Sequence, residues 1–198
     1  RPPLYHTILA LPETQAELEA LLNVDTRQSI ESGLAMRAGF NGSGVSNHNR
    51  IIERHEGTRA FWLSYDFGSS GVEDKKNIFS FPLGPQRPDL SDEENAQYFL
   101  PDGGEFVFEL PNGLYGFYIT DPEGGRIDKA PIEVVKAEGQ AVPEVLNGYS
   151  CFNCHNQGMK LKDDQVRDHV AGFPDSVPGG PIDPETYRTR IETLYSPK

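Results

Sequence analysis

The sequence predicts an α+β fold, an antiparallel β-meander with short helices on either side. Three observations carry that reading. Residues 104–121, GEFVFELPNGLYGFYITD, hold two alternating runs around Pro-Asn-Gly, the pattern of two half-buried strands joined by a tight turn. Glycine (20) and proline (16) are frequent among the 198 residues, which favours turns over a helical bundle. Helical spacing of apolar residues occurs only toward the two ends. With 36% hydrophobic residues, a chain of this length can bury one proper core, so residues 1–198 read as a single domain or a piece of a longer chain.

Residues 12–25 carry apolar positions at Ala16, Leu18, Leu21 and Leu22, and Thr14 with Glu17 makes a capping-box helix start. A second short helix follows from Asp25 and stops at Gly33. Residues 37–50, rich in Gly, Ser and Asn, read as a long loop ordered by side-chain hydrogen bonds. Residues 60–68 and 77–85 read as strands ended by Gly and Pro, and residues 86–97 as an acidic loop or a single helical turn. In the hairpin, Phe106, Phe108 and Leu110 share one face, and Asn112-Gly113 suits a primed turn. DPEGGRID reads as a turn; Asp121, Glu123 and Asp128 lack calcium-loop spacing. Residues 132–137 read as a further strand, 159–173 as a short helix, and 183–195 as a capped terminal helix.

A net charge of −12 repels phosphate backbones and anionic head groups, so no nucleic acid is expected as partner. No apolar run reaches the length of a membrane span. The opening residues have no signal-peptide layout and no initiator Met, as in a processed or excised chain.

Both cysteines lie in GYSCFNCHNQG, where Cys151, Phe152, Asn153, Cys154 and His155 spell C-x-x-C-H. Two thiols at that spacing can add to the two vinyl groups of one haem, and the next imidazole then meets the iron as proximal ligand. The motif therefore predicts one haem c, with Cys151 and Cys154 as tethers and His155 as iron ligand. A redox dithiol would sit in a βαβ setting, which the meander lacks. Zinc would need two further ligands from scattered histidines.

The sixth ligand decides between electron transfer and ligand chemistry. His55 is the favoured distal candidate, because it lies four residues beyond Ile51 and shares its inward direction. Met36, His48, or no protein ligand are the alternatives. Met159 follows His155 too closely to pass round the ring. His169 and His6 read as surface or terminal residues. Taken singly, each of these side chains reads more simply as packing.

The C-x-x-C-H segment resembles c-type cytochromes. The blocks RPPLYHTILALPETQAELEALLNVD, RAGFNGSGVSNHNRIIERH, FWLSYDF, PDGGEFVFELPNGLYGFYITD, GRIDKAPIEVV and NGYSCFNCH are similar to a segment of large secreted bacterial haem proteins. A more distant likeness is to cytochromes of the c-prime-beta type, which place the motif after an antiparallel sheet. These resemblances imply a periplasmic or extracellular protein, redox partner proteins, and assembly into a larger haem protein complex. The functional expectation is a monohaem electron carrier rather than an enzyme. The alternative is a haem enzyme or gas binder with an open distal site, served by Arg50, Glu53, His55, Tyr65 or Glu105.

Overall fold

The computed structural model describes residues 2–69, 71, 74–136, 143–173 and 177–195. Five strands, β1 (Met36–Asn41), β2 (Asn49–His55), β3 (Phe61–Asp66), β4 (Gly103–Glu109) and β5 (Tyr115–Thr120), form one antiparallel meander in the order β1-β2-β3-β4-β5. Short helices precede it: α1 (Pro2–Leu9), α2 (Gln15–Leu22) and α3 (Thr26–Glu31). Three more follow: α4 (Tyr149–Cys154), α5 (Val166–Gly172) and α6 (Pro184–Leu194). This is the α+β meander that the alternation predicts.

Strand register separates two faces. Ile51 pairs with Tyr65, Leu63 with Phe106, and Phe106 with Tyr118, so these side chains share one face of the pleat. They pack with Leu18, Ile78, Phe99, Val166 and Ile191 into the main core. Ile52, Trp62, Val107 and Phe117 point the other way.

The capping box at Thr14 and Glu17 forms as the sequence predicts. The hairpin turn differs. Gly113 has φ +79° while Asn112 does not adopt a positive φ, and Leu110 N–H donates to Leu114 O at 2.7 Å. A three-residue loop with a left-handed glycine results, because Pro111 favours the first central position of an ordinary turn over a primed one.

Of residues 37–50, expected as a loop, 37–41 belong to β1 and 49–50 open β2, and only 42–48 are the loop. β1 and β2 hide their alternation because their core-facing positions are polar: Arg37 pairs across to Glu53, and Asn41 to Asn49. Gly39 is required there, since a Cβ would lie 2.5 Å from a methyl of Val166. Conversely, residues 77–85 form turns held by Asn77 and Asn49, whose side-chain oxygen accepts Ile78 N–H at 3.0 Å. Of the strand expected at 132–137, the described residues 132–134 are a turn following Pro131; residue 137 lies outside the described residues. In residues 159–173 only Val166–Gly172 is helical.

Candidate functional site

Helix α4 carries the C-x-x-C-H residues onto the sheet face opposite the main core. It starts at Gly148, where φ is +75° and a Cβ would lie 2.7 Å from the Tyr5 ring. Ser150 accepts Leu146 N–H at 2.9 Å, closing the turn before the helix. Tyr5, from α1, sits beneath this junction. Its hydroxyl accepts Phe117 N–H at 2.7 Å and donates to Phe117 O at 3.0 Å, which satisfies the free backbone edge of β5. The ring of Phe152 meets Tyr5 and Phe117, at centroid distances of 6.0 and 4.9 Å. Tyr5→Phe is expected to cost about 1–3 kcal/mol, because two buried backbone groups lose their partner; thermal unfolding checks it.

Cys151 and Cys154 are three residues apart on this helix, so they share a face, and both are free thiols. Burial pushes the Cys151 thiol up to about 12, with the nearby Glu105 carboxylate adding to the effect. It is therefore a poor thiolate, unlike the low-pKa cysteine of a redox dithiol. His155 caps the helix and lies 3.2 Å from the Gly158 carbonyl through Nδ1. A carbonyl only accepts, so Nδ1 is the donor, and in the neutral ring that leaves Nε2 as the nitrogen with the lone pair. Phe117 packs against the imidazole at 5.7 Å. An oriented imidazole with a backbone acceptor on Nδ1 is how proteins hold a metal-ligating histidine.

Both cysteines and His155 line a cleft of about 110 Å³ against the sheet. Its far wall is the stretch 156–162, which leaves His155 over β5 and reaches β1, where Lys162 Nζ lies 5.4 Å from the centre of the Phe40 ring. Met159, Lys160 and Lys162 line the cleft from this stretch.

The floor holds a charged cluster. Arg50 Nε donates to Asp66 Oδ1 at 2.7 Å, and its Nη2 lies 3.1 Å from Glu105 Oε2. One guanidinium thus faces two carboxylates. Burial, together with Glu105, pushes the Asp66 carboxyl up to about 7 despite Arg50. A raised folded-state pKa means that Asp66 contributes most stability below the unfolded value of about 3.9, and that this contribution fades as pH rises toward 7. Arg50→Met removes the only cation of the cluster and is expected to destabilise by about 3–5 kcal/mol. The loss should be larger at pH 8 than at pH 5, where Asp66 holds its proton; urea denaturation at the two pH values measures it.

The structure brings Arg50 and Glu105 to the cleft but not His55. His55 alternates with Ile51 and Glu53 on β2, so it does point inward, but into the main core. It is 2% exposed and its Nε2 donates to Glu53 Oε2 at 2.8 Å. The sheet lies between it and His155, so this structure does not bring together the two residues expected as distal and proximal ligands. Tyr65 and Glu53 share that far face. Met36 is on the cleft side but on β1, four strands from Phe117 and roughly 19 Å away at about 4.8 Å per strand. His48 is half-buried in the β1–β2 loop, whose Ser43 and Val45 reach the cleft rim. His169 stacks on Phe79 at 5.1 Å in the other layer, and His6 is buried against Asn147 at 2.9 Å. Asp66, Tyr5 and Phe117 escaped the sequence reading as site residues. Only the parity of Ser64 and Asp66 against Tyr65 could have pointed to the first. Asp121 accepts Gly125 N–H at 2.7 Å within a turn, and no cluster of three metal-ligating side chains occurs among the described residues.

The donor set fits a haem c: two unbridged thiols on one helical turn and an imidazole whose Nε2 is not engaged by the Gly158 contact. A cleft of about 110 Å³ is smaller than the roughly 300–1,000 Å³ that encloses a drug-sized ligand. A porphyrin held by these residues would need more space than this cleft encloses. Among the described residues, no helix is long and apolar enough to cross a membrane. Comparison with protein-family models, with curated proteins and with solved structures finds no match to the chain.

Proposed function

We propose that the chain is a monohaem c-type cytochrome that transfers electrons in the periplasm or outside the cell. The observation that carries this reading is the Nδ1 contact of His155 with the Gly158 carbonyl, which leaves Nε2 free in the same cleft as both thiols. Cys151 and Cys154 would hold the haem and His155 would ligate its iron. The bound haem would supply a one-electron couple. Phe117 fixes the plane of the imidazole, and Tyr5 fixes the helix that presents it. Apolar burial around the cysteines keeps water from the tethered edge. The exposed Tyr149 and Phe152 flank the site, a suitable margin for docking of a redox partner.

A second reading, an open distal position that binds a gas or a small nitrogen compound, is favoured by one observation. Among the residues lining the cleft, His155 is the only histidine, while Arg50 and Glu105 offer a donor and an acceptor. One experiment addresses both readings. Protein matured in a host with c-type haem machinery should keep its Soret band and the mass increment of one porphyrin after denaturation. Loss of both would overturn the haem assignment. A reduced-state spectrum unmoved by carbon monoxide supports electron transfer through a six-coordinate iron; a rapid shift supports the open site.

A further inference from the structure

We propose that a second ligand site lies on the opposite face of the sheet from the cysteines, and that it takes a small aromatic or aliphatic carboxylate. The opening there measures about 620 Å³. Native interiors are packed nearly as densely as organic crystals, so a space of that size at the edge of the main core is the scale of a small-molecule pocket rather than a packing defect.

Its floor is the sheet. Leu63 and Tyr65 present apolar surface, and at Gly104 the floor is closed by its neighbours: a Cβ there would lie 3.0 Å from Thr120 Oγ1, 3.2 Å from the Phe106 ring and 3.4 Å from Leu63. Leu83 and Tyr98 supply the wall opposite α3. The body of a ligand therefore meets mainly hydrocarbon and ring faces.

The mouth sets the charge. Arg27 and Arg87 are committed, because they share Glu31 and Asp89 in a closed ring of ion pairs between 2.6 and 3.2 Å. That ring is neutral and ties α3 to the 83–101 loop across the opening. Arg190, on the exposed side of α6, also lines the mouth, and its Nη1 makes a long contact, 3.5 Å, with the Tyr98 hydroxyl. A guanidinium beside an apolar pocket, with its fork uncommitted to any carboxylate among the described residues, selects a carboxylate on the ligand. The overall charge of −12 disfavours multiply charged anions, so one carboxylate on an apolar body is the class that fits.

The site is independent of the haem reading, and calorimetry on the mature protein with 2-naphthoate tests it, alongside the uncharged 2-naphthalenemethanol. One 2-naphthoate per chain is expected, with the alcohol at least tenfold weaker and the Soret band unmoved. Arg190→Gln, an exposed change that leaves the core intact, should weaken 2-naphthoate about tenfold and leave the alcohol unchanged. Thr189→Trp, at the mouth of the pocket, should weaken both. Absence of saturable binding overturns the proposal. So does binding that Arg190→Gln and Thr189→Trp leave intact, or binding that shifts the Soret band, which would place the probe in the cysteine cleft.

Discussion

Glu53→Leu is expected to destabilise the protein by about 3–5 kcal/mol, a large share of the stability of a domain this size. Glu53 has no exposed side-chain surface, and neither does its partner Arg37. Arg37 Nε donates to Glu53 Oε1 at 2.5 Å and its Nη1 to the Pro82 carbonyl at 3.1 Å. His55 Nε2 and the Tyr65 hydroxyl occupy Oε2, at 2.8 and 3.2 Å. Removing the carboxylate leaves a guanidinium in the core with only neutral acceptors, together with two orphaned donors. Arg37→Met combined with Glu53→Leu should recover much of the loss, because the desolvation cost of the remaining charge disappears with it. Urea midpoints of the two single variants and the double variant, at constant slope, measure the coupling.

The same network fixes an acid limit. Burial pushes the Glu53 carboxyl up, but Arg37 and the His55 hydrogen bond outweigh it, and the net direction is down. A depressed carboxyl stabilises the fold above its unfolded pKa of about 4.3, and that stability is lost as pH falls through the lower folded value. Asp66 acts with the opposite sign, so the two faces of the sheet respond to pH in opposite directions. Midpoints recorded from pH 3 to 8 should fall steeply at the acid end in the wild type, and less so in Arg37→Met/Glu53→Leu.

The network also explains what could be read in the sequence and what could not. The β4–β5 hairpin was legible because its inward positions, Phe106, Phe108 and Tyr118, are apolar and period two is visible. On β1 and β2 the inward positions include Arg37, paired across strands with Glu53, and His55, hydrogen-bonded to Glu53 along the same strand. Long-range charge pairing took the place of hydrophobic alternation, and the segment reads as a polar loop. The direction of His55 was legible, since residues four apart share a face in a helix and in a strand. Which face faces the cysteines was not. That depends on Tyr5 docking α1, and with it α4, against Phe117, contacts across 112 positions of sequence. The C-x-x-C-H motif needed no such information, because its chemistry is written in five consecutive residues.

If the chain carries haem c as proposed, Cys151→Ala/Cys154→Ala is expected to abolish covalent haem altogether, with every porphyrin extractable by acidified solvent. Each thioether forms when a thiol adds across one vinyl group, its sulfur bonding one carbon and its hydrogen passing to the other. No other cysteine exists in the chain to substitute. Each single variant should keep one thioether and hence a porphyrin that survives denaturation. His155→Ala separates tether from ligand: the mass increment should persist while the Soret band shifts, because Nε2 no longer reaches the iron. Loss of the covalent group should also lower thermal stability, since a ligand bound only to the folded chain stabilises it, and Phe117 would face a cleft with one wall missing. A double variant that still carries a porphyrin through denaturation would refute the tether. A His155→Ala spectrum identical to that of the wild type would refute the ligand while leaving the tether standing, and the sixth-ligand question would then become a question about both axial positions.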